Sequence, residues 1–289
     1  MLTNYLPYEV FKRILTKTIF QNAKISLLEK VAKYPSRYTG LFRPTKPKLK
    51  LIQNITQSNE ILFGDAFEII INEYLNRLGF SPIKKNYSYN GNDLMFDQIV
   101  GKENTIIYIE QKIRDDHDST KKRGQIENFE KKGELLLKLY PDFKITGIMY
   151  FIDPNLKKNR RYYMQELQRI STQFNFETHL FYGKEFFEWI GKDEIWLEIT
   201  SYLSKWKEEI PDFPTINFDE NPEESFEEIK HLQPNLLIKL LRNDAICKEI
   251  FPELFPEKTT LNLLLEYYIH EREKNKTNTM VIEHLKKVL

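Results

Sequence analysis

Hydrophobic positions along the chain change from a helical to an alternating period, and these changes divide it into predicted elements. Between Asn59 and Leu78, apolar residues recur every three to four positions, which predicts an amphipathic helix. Short apolar runs rich in β-branched and aromatic residues predict strands over residues 82–89, 105–109, 145–152 and 178–182. Helical stretches separate the later strands, and strands joined through helices pair in parallel. The pattern predicts an α/β fold with a mixed central sheet and flanking helices.

The two ends of the chain are predicted to be helical additions to this core. We expect a helical N-terminal segment with a basic loop over residues 1–58, a core over 59–210, an acidic linker over 211–233 and a helical region over 234–289. In the first segment, residues 34–50 interleave Arg and Lys with Tyr and Phe. Such a stretch is typical of a segment that follows a phosphate backbone, or else of a solvated linker.

Composition and charge exclude several classes of protein. The net charge of +1 argues neither for nor against nucleic acid as a partner. The single cysteine, Cys247, excludes an internal disulfide framework and fits a reducing cytoplasm. No apolar run is long enough to span a membrane, and the N-terminus lacks the apolar core of a signal peptide. We therefore expect a cytoplasmic protein without a membrane partner.

A predicted β-hairpin from Asp93 to Lys112 carries the candidate chemistry. Turn residues at 101–104 separate its strands, and the second strand runs through an apolar stretch into Glu110. Side chains alternate across a strand, so Glu110 and Lys112 share one face. Residues 105–109 are apolar on both faces, which predicts a buried central strand. A bare surface ion pair rarely lies at the end of such a strand.

The register of this hairpin decides which aspartate joins Glu110 and Lys112. With the turn centred on residues 102 and 103, Asp93 lies opposite Lys112 and Asp97 lies opposite Tyr108. Asp93 and Asp97 share a face, so alternation does not separate them. We favour Asp93, because it lies at the hairpin end that carries the other two side chains.

Two carboxylates beside an amine suit a divalent metal ion. Mg²⁺ prefers one or two carboxylates together with water and phosphate oxygens. It lowers the pKa of bound water, and a nearby lysine stabilises the negative charge that develops on a reacting phosphate. The competing interpretation is an exposed cross-strand ion pair, worth at most about 1 kcal/mol.

Glu68 and the segment after the hairpin add further candidates. Glu68 lies at the border of the apolar stripe of its helix, where it is either a solvated flank or a carboxylate that reaches the metal site. A helix is predicted from residue 119 or 120 to Tyr140, with cations in its first turns. Cations at a helix N-terminus oppose the helix dipole, so either a bound phosphate or the acids at 115–118 must balance them.

Together these residues resemble a known nuclease superfamily. Asp93 and the Glu110-x-Lys112 motif, on a hairpin that follows the Glu68 helix, resemble the PD-(D/E)XK nucleases. The stretch from Ile109 to Gln125 is similar to a type II restriction endonuclease, although Asn92 stands where the superfamily motif has proline. The resemblance covers about residues 59–190 and implies a restriction-endonuclease-like core.

The resemblance implies a role for each motif residue. Asp93 and Glu110 would bind Mg²⁺, for which Mn²⁺ could substitute, and Lys112 would assist the attacking water. Glu68 would match the helix carboxylate, and Gln125 the helix glutamine, that some members carry. The expected DNA contacts are Arg43, Lys46, Lys121, Lys122, Arg123, Gln125, Arg160 and Arg161.

The implied activity is site-specific, metal-dependent hydrolysis of double-stranded DNA. A homodimer is expected for a palindromic target, because two cuts usually need two active sites, and the family implies a companion DNA methyltransferase. Two alternatives stay open at this point. One is a repair or structure-specific nuclease with the same site, and the other is a DNA-binding module whose carboxylates are structural.

Overall fold

The computed structural model describes residues 4–89, 91–211, 214, 216–271 and 276–289. The chain divides into two compact units. The first comprises Met1–Leu15 and Phe63–Ile210, and the second comprises Thr16–Leu62 and Pro211–Leu289. Within the described ranges, no helix combines the length and the apolar character that crossing a membrane requires.

The first unit contains both helices and strands, and the described elements of the second unit are helices. The helices are α1 (Tyr8–Phe20), α2 (Ala23–Lys33), α3 (Pro47–Arg77), α4 (Ser119–Leu139), α5 (Arg160–Phe174), α6 (Glu185–Trp189), α7 (Glu194–Glu209), α8 (Pro222–Ile229), α9 (Pro234–Leu241), α10 (Asp244–Glu249), α11 (Phe251–Leu254), α12 (Thr259–His270) and α13 (Lys276–Val288), with a 3₁₀ helix at Pro35–Arg37. The strands are β1 (Ser81–Pro82), β2 (Asn86–Tyr89), β3 (Asn92–Met95), β4 (Gln98–Lys102), β5 (Thr105–Lys112), β6 (Lys144–Phe151) and β7 (Glu177–Tyr182).

The predicted mixed sheet is confirmed. Five strands pair in the order β1-β4-β5-β6-β7, and the remaining two form a separate β2-β3 sheet. β5 is antiparallel to β4 and parallel to β6, while β6 is parallel to β7. Because α4 and α5 lie between the parallel strands in the chain, each parallel connection is a helical crossover, as the alternation of patterns indicates.

β5 forms the centre of the sheet, as its apolar pattern predicts. Residues 106–109 are all buried. The Tyr108 side chain of β5 lies where α4 and β6 come close to this strand. Its hydroxyl donates to the carbonyl oxygen of Phe129 on α4 at 3.1 Å. Tyr108 pairs with Gly147 on β6. A Cβ added at Gly147 would lie 2.7 Å from atoms of the Tyr108 and Phe129 side chains. Only glycine leaves room for this packing.

The predicted hairpin register is wrong by two residues. Lys102 pairs with Thr105 and Gln98 pairs with Ile109, so the turn is centred on residues 103 and 104 and Ile99 lies opposite Tyr108. The predicted first strand also breaks near Asp97. Its first half, β3, pairs with β2 and not with β5, because the chain leaves one sheet and enters the other at residues 96–97. A pattern of alternation does not reveal which strand is the partner.

The long helix α3 begins earlier than its pattern predicts. It starts at Pro47, twelve residues before Asn59, and Pro is well suited to the first helical position. Ser58, which directly precedes the predicted start, lies inside the helix and donates to the Asn54 carbonyl oxygen at 2.8 Å. The last residues of the predicted basic loop are therefore helical. The predicted N-terminal helix likewise divides at Asn22, which has a φ of 60°.

The predicted acidic linker is instead largely folded. Residues 222–229 form α8, and Ile216, Phe218 and Ile229 are buried in the core of the helical unit. Within 211–233, residues 212, 213 and 215 lie outside the described residues. Buried Asp219 explains part of this order, since it accepts from the backbone N–H groups of residues 257 and 260 at 2.9 and 2.8 Å. The acidic composition alone suggests solvation, but here the apolar residues between the acids pack.

Candidate active site

Asp97 and Lys112 are in contact where β4 begins and β5 ends. Asp97 lies between β3 and β4, and its Oδ2 accepts from the Gln111 backbone N–H and from Lys112 Nζ, each at 2.8 Å. Lys112 Nζ also donates to the Gln111 carbonyl oxygen at 2.7 Å. The exposed fractions of the two side chains are 12% for Asp97 and 32% for Lys112. The aspartate is thus held firmly, while the lysine remains accessible to solvent.

Glu110 carries the second carboxylate, and it is buried. Its Oε1 accepts from Nζ of Lys132, a lysine on α4 that is only 1% exposed. The same ammonium group lies 5.2 Å from the centre of the Phe96 ring. A buried carboxylate needs a counter-charge, and Lys132 supplies it by direct contact.

Glu68 on α3 is the third carboxylate of this region. The Gln98 side chain donates from Nε2 to the Glu68 carbonyl oxygen, which connects α3 to the first residue of β4. The Glu68 side chain is partly exposed. Asp97 and Lys112 both shift its pKa, so the carboxylate lies within electrostatic range of the site. Of the two interpretations of Glu68, a solvated flank and a carboxylate that reaches the site, this electrostatic coupling favours the second.

Burial and mutual repulsion raise the pKa values of two of these acids. Burial, followed by the charge of Asp97, raises the pKa of Glu110 to about 7, although Lys132 and Lys112 oppose the shift. The same two causes, in the same order, raise the pKa of Glu68 to about 7. Burial lowers the pKa of Lys112, but the charges of Asp97 and Glu110 outweigh it, and the net shift is upward. Raised pKa values of this kind are common where a site awaits a positive charge.

Asp93 is not brought to this cluster. It lies in the two-stranded sheet, where it pairs with Ser88, and it is exposed. The geometry on which the sequence analysis chose Asp93 over Asp97 is therefore corrected. Because the register is shifted by two residues, Gln98 pairs with Ile109, and Asp97, the residue before Gln98, lies at the hairpin end that carries Glu110 and Lys112.

The sequence analysis missed Lys132 as a member of the site. The buried residues of α4 recur at helical spacing and include Lys132 between Phe129 and Leu136. A lysine in the middle of an apolar helical stripe is the pattern that could have identified it, because an unpaired charge is rarely buried. Lys85 was missed as well. It donates from Nζ to the Asp97 carbonyl oxygen, and no sequence pattern marks it.

The loop after β5 is joined to the start of α5 through a buried aspartate. Asp115 is fully buried, and its carboxylate accepts from the backbone N–H of Asn159 at 2.8 Å, from Asn159 Nδ2 at 2.9 Å and from the Tyr182 hydroxyl at 2.8 Å. Lys122 Nζ in turn donates to Asn159 Oδ1 at 3.3 Å. The first turns of α4 and α5, each rich in cations, are thereby held next to each other.

Asp118 places a negative charge beside the cations at the start of α4. Asp118 caps this helix and accepts from the backbone N–H groups of Thr120 and Lys121 at 3.0 and 2.9 Å. Charge balance, one of the two explanations that the sequence left open, is therefore met in part by Asp118. The helix begins at Ser119, one of the two predicted starts, and Asp118 before it has the extended backbone of a capping residue.

The remaining predicted DNA contacts lie in both units. Gln125 is partly buried, and its Oε1 accepts from the Tyr163 hydroxyl at 2.5 Å. Arg160 forms an ion pair with Glu185 at 3.4 Å. Five of the predicted contacts are exposed side chains: Lys121, Arg123 and Arg161 in the first unit, and Arg43 and Lys46 in the second. Nothing in the described structure assigns them a ligand.

The donor set suits a hard, hydrated cation. Asp97 and Glu110 supply carboxylate oxygens, the ligand type that Mg²⁺ prefers, and it takes its remaining ligands from water and phosphate. Across the residues that the structure describes, no three side chains of the His, Cys, Asp and Glu types come close enough to enclose a metal by themselves. Gln98 Oε1 and Gln111 Oε1 are buried acceptors with no hydrogen-bond partner in the described ranges. A site of two carboxylates completed by water fits these observations.

Comparison with known proteins finds a similarity over part of the chain. Residues 91–207 match the family model described as type II restriction endonuclease, HinfI. The match begins just before β3 and ends within α7, so it includes Asp97, Glu110, Lys112 and Lys132. No curated protein and no solved structure matches the chain. The resemblance to a type II restriction endonuclease is confirmed over this region.

Proposed function

Residues 91–207 match the HinfI type II restriction endonuclease family, and from this premise we propose that the protein is a sequence-specific endonuclease that hydrolyses double-stranded DNA with the help of a divalent metal ion. The observation that carries the proposal is the convergence of Asp97, Glu110 and Lys112 at one end of the central strand pair. This convergence supports a PD-(D/E)XK site in which Asp97 takes the place of Asp93.

Asp97 and Glu110 would hold the metal, and Mg²⁺ is the ion that their oxygen atoms suit best, with Mn²⁺ as a substitute. When bound, the ion supplies positive charge to the reacting phosphate and lowers the pKa of a bound water. A bound cation would favour the ionised form of Glu110, whose pKa is raised to about 7, and would take the place of its Lys132 contact. A cation beside Glu110 and Asp97 would replace the counter-charge that Lys132 now provides.

Lys112 is positioned to act on the water and the phosphate. Its ammonium group is held by Asp97 and the Gln111 carbonyl oxygen, yet a third of the side chain is exposed. From there it orients the attacking water and stabilises negative charge on the phosphate oxygens. Water attacks the phosphorus as the bond to the 3′ oxygen breaks, which leaves a 5′-phosphate and a 3′-hydroxyl. Glu68, with its raised pKa, is suited to accept the proton of that water.

The cations beside the site are proposed to contact the DNA backbone. Asp115 holds the start of α5 next to the loop that follows Lys112, so Lys121, Arg123 and Arg161 extend from the same part of the fold. Phosphate contacts position a duplex and make its binding depend on salt. We further propose a homodimer for a palindromic target, a companion methyltransferase that protects host DNA, and a cytoplasmic location for both.

Digestion of a large mapped DNA tests the function. With Mg²⁺ we expect discrete fragments, and with EDTA we expect intact DNA. A smear would favour a nuclease without sequence specificity, and intact DNA under both conditions would favour a binding module with structural carboxylates.

The variant Lys112→Ala tests the site in the same assay. We expect it to lose cleavage and to keep DNA binding, because it removes one amine from the site and leaves the sheet intact. Lys102→Ala is the matched control, since Lys102 lies on the other strand of the same pair and is exposed. Equal cleavage by Lys112→Ala and the parent would contradict the assignment.

A further inference from the structure

Two large apolar side chains stand almost fully in solvent at a turn of the second unit. Leu41 is 91% exposed and Phe42 is 96% exposed, while the next most exposed large apolar side chain in the described residues, Ile61, is 68% exposed. They follow the 3₁₀ helix at Pro35–Arg37 and precede α3. Adjacent side chains of this size are rarely both left in water without a partner.

The turn that presents these two residues is anchored at its base. Tyr38 and Thr39 are buried, and the Thr39 backbone N–H donates to the Pro35 carbonyl oxygen at 3.1 Å. Gly40 has a φ of +116°, which an L side chain rarely adopts, and this residue turns the chain outward. On the far side, Arg43 Nε donates to the Ser36 carbonyl oxygen at 3.1 Å. The exposure of the pair is thus built into the local structure.

The segment around the turn carries charge of one sign only. Between Glu29 and Glu60 the sequence has no acidic residue, and it has seven basic ones: Lys30, Lys33, Arg37, Arg43, Lys46, Lys48 and Lys50. This contrasts with the near-zero net charge of the whole chain. Lys48 forms an ion pair with Glu253 at 3.5 Å. In the part of the chain that the structure describes, Arg37, Arg43 and Lys46 have no carboxylate partner, and all three are exposed.

We propose that Leu41 and Phe42 form an apolar wedge that enters a groove of double-stranded DNA and packs against the bases, while Arg37, Arg43 and Lys46 bind the flanking phosphates. This inference rests on the proposed function only for the choice of DNA as the substrate. Apolar side chains that enter a groove and partly unstack a base step are used by proteins that bend DNA, and cations beside them bind the backbone.

Charge complementarity selects a polyanion as the partner. Seven basic residues without an acid would repel a second copy of the same turn, so self-association through this surface is disfavoured. Arg37, Arg43 and Lys46, exposed cations without a carboxylate partner in the described residues, lie within five residues of the apolar pair in the sequence and can bind the phosphates that flank a groove. An anionic lipid surface has the same charge chemistry, and the experiment below distinguishes it from DNA.

The test measures binding of the full chain to a fluorescein-labelled mixed-sequence duplex of about 30 base pairs, by anisotropy, in EDTA and over a range of salt concentrations. The wedge variant combines Leu41→Ala and Phe42→Ala. Its matched control is Leu197→Ala, a leucine of α7 in the other unit that is 62% exposed. Because all three side chains are in solvent, thermal unfolding of each variant should match that of the parent.

We expect the wedge variant to bind about 10- to 100-fold more weakly, from the loss of two apolar side chains that the duplex covers. The slope of log affinity against log salt should stay the same. The cation variant, Arg43→Gln with Lys46→Gln, should instead reduce that slope by about 0.9 for each lost phosphate contact. In a duplex that carries 2-aminopurine, the parent should increase the fluorescence of the analogue by unstacking it, and the wedge variant should not.

Unchanged affinity and unchanged 2-aminopurine fluorescence in the wedge variant would overturn the proposal. So would tighter binding of the parent to phosphatidylcholine–phosphatidylserine vesicles than to the duplex, or a change of oligomeric state of the wedge variant in sedimentation. None of these measurements needs cleavage. An absence of cleavage in Mg²⁺ would therefore refute the proposed function and leave the wedge standing, whereas loss of the wedge effect would leave the cleavage result untouched.

Discussion

Replacement of Asp97 by asparagine, compared with the same change at Asp93, separates the two candidate aspartates directly. Asparagine has nearly the shape of aspartate, and its amide oxygen still accepts from the Gln111 N–H, so only the negative charge is lost. Asp93 is exposed in the two-stranded sheet and serves as the matched control.

The structure gives the magnitude of the effect on stability. Asp97 Oδ2 lies 2.8 Å from Lys112 Nζ, and at an effective dielectric constant of about 20 their attraction is about 6 kcal/mol before desolvation. The net value of a hydrogen bond to a charged group is about 1.5–3 kcal/mol. The same charge repels Glu110, so its removal gives relief wherever Glu110 is ionised. We expect Asp97→Asn to lower the free energy of unfolding by about 2 kcal/mol at pH 5, where Glu110 is protonated, and by less at pH 8.

The effect on cleavage should be larger than the effect on stability. Asp97→Asn removes one of the two carboxylates proposed to bind the metal. We expect kcat/KM for cleavage in Mg²⁺ to fall by at least about 10³-fold, or about 4 kcal/mol of transition-state stabilisation. DNA binding in EDTA should persist. The Asp93→Asn variant should cleave within about twofold of the parent, because it lies outside the cluster.

Cleavage of a single-site linear DNA, followed by gel electrophoresis under single-turnover conditions, measures these rates. Chemical denaturation at pH 5 and pH 8 measures the stabilities. Full activity of Asp97→Asn together with loss of activity in Asp93→Asn would refute the reasoning from the observed register. Equal activity of both variants would place the metal ligands elsewhere.

Further predictions concern pH, charge and packing in the same unit. Glu68 and Glu110 have folded-state pKa values raised from 4.5 to about 7, so between these pH values the folded protein binds more protons than the unfolded chain. The free energy of unfolding without metal should therefore fall as pH rises from about 4.5 to about 7. Mg²⁺ should raise the melting temperature more at pH 8 than at pH 6. A melting temperature that stays constant over this range would contradict the assignment. Lys132→Met leaves Glu110 buried without its counter-charge and should lower the free energy of unfolding by about 3 kcal/mol at pH 8 but by less at pH 5, as measured by urea unfolding. Equal losses at the two pH values would show that the charge is not the cause. Gly147→Ala places a methyl group 2.7 Å from the Tyr108 ring and should cost about 1–3 kcal/mol by the same measurement, whereas a neutral effect would mean that the ring moves freely.

The elements that local chemistry controls can be predicted from the residues of the chain alone. The apolar runs predict β5, β6 and β7, and the helix predicted from residue 119 or 120 to Tyr140 is α4, with ends that differ from the observed ones by at most a few residues. The order of these elements predicts the mixed sheet, since parallel strands need a crossover between them. Glu110 and Lys112 were predicted together because they lie two residues apart on one strand, and their shared face follows from the geometry of a strand alone.

Which residues join Glu110 and Lys112 in the site depends on contacts between distant parts of the chain. The choice between Asp93 and Asp97 depends on a register and on a change of sheet at residues 96–97, and neither leaves a trace in the period of the sequence. Lys132 lies 22 residues from Glu110, and it joins the site because α4 packs beside β5 and a buried carboxylate must find a positive charge. Strand and helix patterns are set by neighbours in the chain, whereas a site is set by contacts between elements, and those depend on how the elements pack.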